Sequence, residues 1–315
     1  MKRKDFIRSA GSFAVASLTG NSIWGQDHSP TGVADYELRQ KEIDEVTPDV
    51  FIKYYRSGLD IPLAQLREIE CRYPAISRLE KAFSKVFDEV RHTVVKDLDK
   101  PAVWYLYNMG IIVKTPNRLF SIDLHHRRAE EFAQLLDFAC ITHNHGDHYT
   151  ERFKVAMDRG HHKCVINNFF DNYGVKNRSM GGFTRAKSKV FDFGEVKVTT
   201  GLCDHNSYLI DYTTTFEVHV GNFTLFHSGD CCSCAKFQPK RKPDLWVLHP
   251  YCGMNPAEAS RTVVHPKKVV IAHLQEMCHS RNRYRWTYRD GLKVKDSLLQ
   301  AGVDSVIPMW GERIL

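Results

Sequence analysis

The spacing of apolar residues changes character once along this chain, near Pro101. From Asp35 to about Lys100 the spacing is helical: Leu63, Leu66 and Ile69 fall on one face, as do Ile76, Leu79, Phe83, Val86, Phe87 and Val90. Polar and charged residues fill most positions between them, and Pro48, Pro62 and Pro74 cut the stretch into pieces. It carries no cluster of ligand-type residues. Residues 26–100 are therefore expected to be a helical extension that packs on the rest of the chain or on a partner, where it could support an oligomer.

Beyond Pro101 the pattern shortens to strand-length apolar runs. Val103–Tyr107, Ile111–Lys114 and Leu119–Leu124 read as strands, with Thr115-Pro116-Asn117-Arg118 as a turn. A helix is expected over Arg127–Asp137, with Ala129, Phe132, Ala133 and Leu136 on its apolar face, followed by a buried strand at Phe138–Ile141. A helix over about Thr150–Arg159 and a strand at Cys164–Asn167 come next. Gly194-Glu195 and Gly221-Asn222 mark the turns of two hairpins, Val190–Phe193 with Val196–Thr200 and Thr215–Val220 with Phe223–His227. Leu245–Leu248, Val269–Ala272 and Val306–Met309 read as short strands, and Pro256–Val264 and Arg289–Gln300 as helices. Strands that arrive both as hairpins and as strand–helix units point to an α/β architecture of two mixed sheets with helices outside.

Composition changes this picture little. A chain of 315 residues with 43% hydrophobic and 26% charged residues builds a sizeable core. The formal charge is +7, of which Lys2, Arg3, Lys4 and Arg8 against Asp5 contribute three units, so the rest is too mild to imply nucleic acid. Residues 1–25 have the layout of an export signal: a basic start, a small-residue apolar run from Ala10 to Leu18, then polar residues up to a cut near Gly25. The order K-R-K-D-F-I-R resembles a bacterial twin-arginine signal, with Lys4 in the place of the second arginine. The expected home is the periplasm; the alternative is a cytoplasmic protein with a frayed N-terminus. No run of 18 apolar residues exists to cross a membrane as a helix. Nine cysteines, of which Cys231, Cys232 and Cys234 cluster, form no paired knuckles and leave their pairing open.

The chemistry lies in Ile141–Thr150, I-T-H-N-H-G-D-H-Y-T. Imidazole and carboxylate are ordinary ligands of catalytic divalent metals. In extended backbone His143 and His145 point the same way and can grip one ion. Asp147 and His148 follow the turn at Gly146 and can address a second ion.

The H-N-H-G-D-H run resembles the HxHxDH signature of the metallo-β-lactamase superfamily. Further motifs of that pattern follow in order: Asp123 in F-S-I-D-L, His205 in T-T-G-L-C-D-H-N, Asp230 in L-F-H-S-G-D and His273 in V-V-I-A-H-L. The resemblance covers residues 101–315 and implies an αββα sandwich. Within the superfamily the chain is similar to the branch holding ascorbate-6-phosphate lactonase and N-acyl-phosphatidylethanolamine phospholipase D. The H-S-G-D strand end, D-L-W-V-L-H-P-Y-C-G-M-N-P-A-E-A and V-I-P-M-W-G-E carry that likeness. Two positions depart from it: Cys231 stands where Thr is common, and His249 where an apolar residue is usual.

The resemblance implies one ion on His143, His145 and His205, a second on Asp147, His148 and His273, and Asp230 bridging them. Zn suits such ligands best, and Mn and Fe also fit. Two ions can share a hydroxide whose pKa falls towards about 7; Asp147 is the expected catalytic residue, orienting it or accepting its proton. Asp123 is expected behind the ligands, holding a histidine in one tautomer, and His227 in a structural or supporting place. His161, His162 and His219 compete with His205, and His279 competes with His273. The stretch R-N-R-Y-R-W-T-Y-R, with Arg281 and Arg283, could stack on or pair with an anionic substrate. The expectation is a binuclear hydrolase acting on an anionic small molecule at a phosphoester or lactone-type bond. The rivals are a nuclease of the same fold and a non-catalytic metal-binding protein.

Overall fold

The structure, a computed structural model, describes residues 33–56, 61–160, 163–168, 189–281 and 283–315. The expected export signal and two competing histidines, His161 and His162, lie outside these residues.

The prolines that punctuate the N-terminal stretch each open a helix. Helix α1 spans Val33–Asp44, α2 Pro48–Arg56, α3 Leu63–Arg72 after Pro62, and α4 Pro74–His92. Proline suits these places because its fixed φ is helical and the first turn leaves its missing N–H unneeded. The remaining chain forms two sheets. Strands β1 (Ala102–Tyr105), β2 (Ile111–Lys114), β3 (Leu119–Ile122), β4 (Phe138–Cys140), β5 (Cys164–Ile166) and the terminal β13 (Glu312–Arg313) build one sheet in the order β13-β1-β2-β3-β4-β5. The other has the order β12-β11-β10-β9-β8-β7-β6, with β6 Val190–Asp192, β7 Val196–Cys203, β8 Thr213–Val220, β9 Phe223–His227, β10 Leu245–Leu248, β11 Lys268–Ile271 and β12 Asp304–Val306.

Alternation along the strands sorts side chains into three layers. Val103, Tyr105, Ile111, Val113, Phe120 and Ile122 of the first sheet meet Val196, Val198, Phe216, Val218, Leu225 and Val247 of the second. On the far side of the first sheet, Trp104, Leu106, Ile112 and Ile141 join Phe51, Tyr54, Ile76, Leu79, Phe83 and Val86 of the N-terminal helices. On the far side of the second sheet, Trp246, Leu248, Val269 and Ile271 pack with Val294 and Leu298 of helix α7 (Tyr288–Gln300). The extension thus covers the main body of the chain, and its apolar stripe is spent there.

Several short elements depart from their pattern. The helix expected over Arg127–Asp137 is a 3-10 helix at Ala129–Gln134, since the Asp137 carboxylate turns back to accept from Leu119 N at 2.7 Å. The expected helices at 150–159 and 256–264 are each one α turn (α5 Glu151–Val155 and α6 Pro256–Ala259) continued by a π turn. The last expected strand, Val306–Met309, lies earlier, at β12, and β13 has no local signature because it is defined only by pairing Trp104 with Arg313 across the sheet.

The basic loop before α7 is a clamp on the extension. Buried Arg285 donates to the carbonyls of Ile43 and Val46, at 3.0 Å each, and to Met277 O at 3.1 Å. Arg289 pairs with Glu37, and Tyr288 stacks on Tyr36. Removing this guanidinium strands buried acceptors, so Arg285→Ala is expected to destabilise the fold by about 3 kcal/mol in urea unfolding. A change under about 0.5 kcal/mol, ordinary for a surface substitution, would contradict the clamp.

Candidate metal centre

Strands β3 and β4 run parallel, and so do β9, β10 and β11; β7 shares their direction because two antiparallel pairings separate it from β9. Their C-terminal ends therefore open on one edge of the sandwich, where open α/β sheets gather ligand groups. Asp123 follows β3, the 143–148 run follows β4, His205 follows β7, Asp230 follows β9, His249 follows β10 and His273 follows β11. Three non-glycine residues at this edge adopt left-handed backbone: Asn108 (φ 56°), Asp123 (φ 49°) and His273 (φ 54°). Such strain persists where the surrounding structure fixes it, and it clusters at functional sites.

Asp230 is the hub. Its Oδ2 lies 3.2 Å from His148 Nε2, 3.6 Å from His273 Nε2, 3.7 Å from His205 Nε2 and 3.9 Å from His143 Nε2. His145 completes one side, its ring centroid 4.5 Å from that of His143 and 4.6 Å from that of His205. Asp147 completes the other, with Oδ2 3.2 Å from His273 Nε2 and 3.7 Å from His148 Nε2. The ligand atoms of His143, His145 and His205 lie within 4.8 Å of one another, and so do those of Asp147, His148 and His273.

A second layer aims these groups. Asp123 accepts from Thr142 N and Thr142 Oγ1, both at 2.7 Å, and from His148 Nδ1 at 2.9 Å. With its hydrogen committed to Asp123, the Thr142 hydroxyl accepts from His143 Nδ1 at 3.0 Å. One carboxylate thereby sets the tautomer of two imidazoles and, in their neutral form, leaves both Nε2 lone pairs bare. Asn108 Nδ2 donates to Asp147 O at 2.8 Å and to its Oδ2 at 3.3 Å, while Asn108 O accepts from His273 N at 2.8 Å. Gly229 turns the chain into Asp230 at φ +58°; a Cβ there would sit 2.7 Å from Thr213 Cγ2 and 2.9 Å from Thr142 Cβ.

The charges divide in two. Burial pushes the His143, His145 and His205 pKa values down, His145 to about 4, aided at His143 and His145 by their imidazole neighbours. Burial also works against the charged form of His148 and His273, yet Asp230 and Asp147 raise both, with Asp123 adding to His148. The two aspartates, which burial would push up, are held well below the usual range by His148 and His273. The buried Nε2 atoms of His143, His148 and His205 and Asp230 Oδ1 have no hydrogen-bond partner. Bare imidazole lone pairs facing buried carboxylates are a donor set that divalent cations fit.

No family model matches the chain. Among solved structures, Igni18, a novel metallo hydrolase from the hyperthermophilic archaeon Ignicoccus hospitalis, superposes with a TM-score of 0.52 at 16% identity, over 68% of this chain and 98% of that one. CmlA, a diiron β-hydroxylase from Streptomyces venezuelae, gives 0.50 at 13% identity over 67% of this chain and 53% of its own. The metallo-β-lactamase fold protein YhfI from Bacillus subtilis gives 0.49 at 15% identity over 68% and 98%. The chain has the metallo-β-lactamase fold.

Not every residue singled out from the sequence faces the metal edge of this fold. Cys231 lies beneath the Asp230 turn, its thiol donating to Ser228 O at 2.8 Å among Phe226, Trp246 and Leu248. Arg281 Nε lies 3.5 Å from Asp44 Oδ2 on α1, and Arg283 is exposed. Acidic residues of α1 thus lie beside this basic loop. His227 donates from Nε2 to Met109 O at 3.0 Å and accepts at Nδ1 from Gly229 N at 3.3 Å, so both ring nitrogens serve the backbone. His249 does reach the centre, stacked on His273 at 3.9 Å. Of the competitors, His219 bonds Thr224 within its own hairpin and His279 lies against Glu276.

The metallo-β-lactamase fold also brings in residues the sequence did not flag. Cys252 groups with His205 and Asp230, and the Tyr212 ring lies 5.4 Å from His145 and 5.8 Å from His143. Asn108 and Cys252 share one legible signal, a polar residue just past an apolar strand.

Asp123→Asn removes the acceptor that orients His148, so affinity for divalent metal is expected to fall about 10- to 100-fold with the fold retained. Chelator competition checks this, and unchanged affinity would contradict the tautomer control. Because Asp230 and Asp147 raise the pKa values of His148 and His273, metal uptake there should expel protons and weaken as pH falls. Titration calorimetry in two buffers of different ionisation enthalpy reads this directly; identical heats would refute it.

Proposed function

We propose that the chain is a metal-dependent hydrolase with two divalent ions, acting on an anionic small molecule at a phosphoester or lactone-type bond. The observation that carries this is the single buried Asp230 oxygen within 3.9 Å of four imidazole nitrogens, with separate ligand groups on either side. His143, His145 and His205 would hold one ion, Asp147, His148 and His273 the other, and Asp230 would face both. Zinc suits this set best, with manganese and iron as the other candidates. Bound there, the ions supply Lewis acidity and an activated water at neutral pH.

The chain's own groups do the rest. Asp147 is fixed by Asn108 and by His273 at 3.2 Å, and its carboxylate would orient the attacking water and take its proton. His249, stacked beside His273 and accepting Tyr251 N at Nδ1, presents a neutral ring whose other nitrogen can donate to a developing negative charge. Tyr212, half-buried beside His143, His145 and His205 and bonded to Asn144, forms a wall of the mouth. The likeness to the lactonase and phospholipase D branch supports the bond type, and a substrate anion would be drawn to the ions themselves now that Arg281 is turned towards α1. The reading extends to an exported, periplasmic protein on the strength of residues 1–25.

Elemental analysis of the purified chain is expected to find close to two divalent ions, and chelation to lower its melting temperature. Returning zinc at about 100 times its dissociation constant should restore roughly 2.7 kcal/mol of stability. Across a panel of phosphodiesters and lactones, His145→Ala should lose at least about 100-fold in kcat/KM, the upper range for loss of a mere supporting group. Hydrolysis as fast as wild type, or a chain that neither contains nor is stabilised by metal, would defeat the proposal.

A further inference from the structure

We propose that Cys252 is a sulfur ligand to the ion on the His205 side of the centre, which makes the two metal positions chemically unequal. The inference rests on the two-ion reading above and adds a donor that reading does not use.

Cys252 is half-buried in the loop after β10, and its Sγ, His205 and Asp230 offer ligand atoms within 4.8 Å of one another. Two of those partners carry buried atoms without a hydrogen-bond partner, His205 Nε2 and Asp230 Oδ1. The loop is held on both sides of the cysteine. Tyr251 stacks on Trp286 at 4.3 Å and donates its hydroxyl to Asp290 O at 2.8 Å. Gly253 takes φ +116° against Cys232, where a Cβ would stand 3.4 Å from Cys232 Cβ and O. The thiol itself touches only the His205 carbonyl, at 3.5 Å, among the hydrogen bonds of the described residues. It is therefore fixed beside a ligand histidine with no strong partner of its own.

Ligation would replace the S–H bond by a sulfur–metal bond and release the proton to solvent. The His143, His145, His205 side would then carry a soft donor, while the Asp147, His148, His273 side keeps only nitrogen and oxygen. Thiolate selects zinc over manganese, so the first position should be the zinc-specific one and the second the more permissive.

Cobalt(II) added to the metal-free 315-residue chain tests this. Visible ligand-field bands report occupancy, and a near-ultraviolet charge-transfer band reports sulfur on the metal. Wild type should show both; Cys252→Ser should keep the visible bands and lose the charge-transfer band; Cys234→Ser should keep both. Visible bands without a charge-transfer band in wild type would overturn the sulfur ligand and leave the two-ion reading standing, whereas absence of both would overturn each. Alkylation separates lost ligation from lost folding: with zinc at about ten times its dissociation constant, modification of Cys252 in the native wild type should slow about tenfold, while Cys234 is unaffected. Equal rates at Cys252 would also overturn the assignment.

Discussion

The constraint on which the structure turns is the burial of three carboxylates, Asp123, Asp147 and Asp230, at the end of a β-sandwich. A buried charge costs several kcal/mol unless it is matched, so each must be surrounded by donors or cations. Asp123 meets this need with Thr142 and His148; Asp147 does so with Asn108 and His273. Among the described residues, Asp230 has imidazole nitrogens and the Cys252 thiol beside it, which are weak company for an anion unless they are protonated or share a cation with it. The left-handed backbone at Asn108, Asp123 and His273, and the crowding that only glycine tolerates at position 229, are the local strains that hold this arrangement together.

Much of this was legible in the sequence because each donor sits just past a strand-length apolar run. The 143–148 run, His205, Asp230 and His273 all follow that rule, and the hydrophobic periods placed the strands that carry them. What the sequence could not convey was direction. Cys231 and Cys252 both stand near glycines after strands, yet one thiol packs under the Asp230 turn and the other faces His205. Likewise the ties of the Arg-rich loop to Asp44, Glu37 and the carbonyls of Ile43 and Val46, some 240 residues away in sequence, have no local trace. The terminal strand β13 was invisible for the same reason.

The metallo-β-lactamase fold does not settle chemistry. Of two structures that superpose at 0.50 or better, one is described as a metallo hydrolase and the other as a diiron β-hydroxylase. What differs between such proteins is the donor set at the strand ends. A thiol at Cys252 and an imidazole at His249, each beside a metal-binding histidine, are the features by which this chain would tune a common scaffold.

The clamp by Arg285 has a further meaning for the metal edge. The guanidinium that grips the end of α1 and the turn after it stands only twelve positions after His273, in the same irregular stretch that links β11 to α7. The helical cover and a ligand histidine are thus fastened to one strap of backbone. Loosening the cover from the sheet would act on the span that carries His273, so the far side of the molecule and the candidate metal edge share one stretch of backbone.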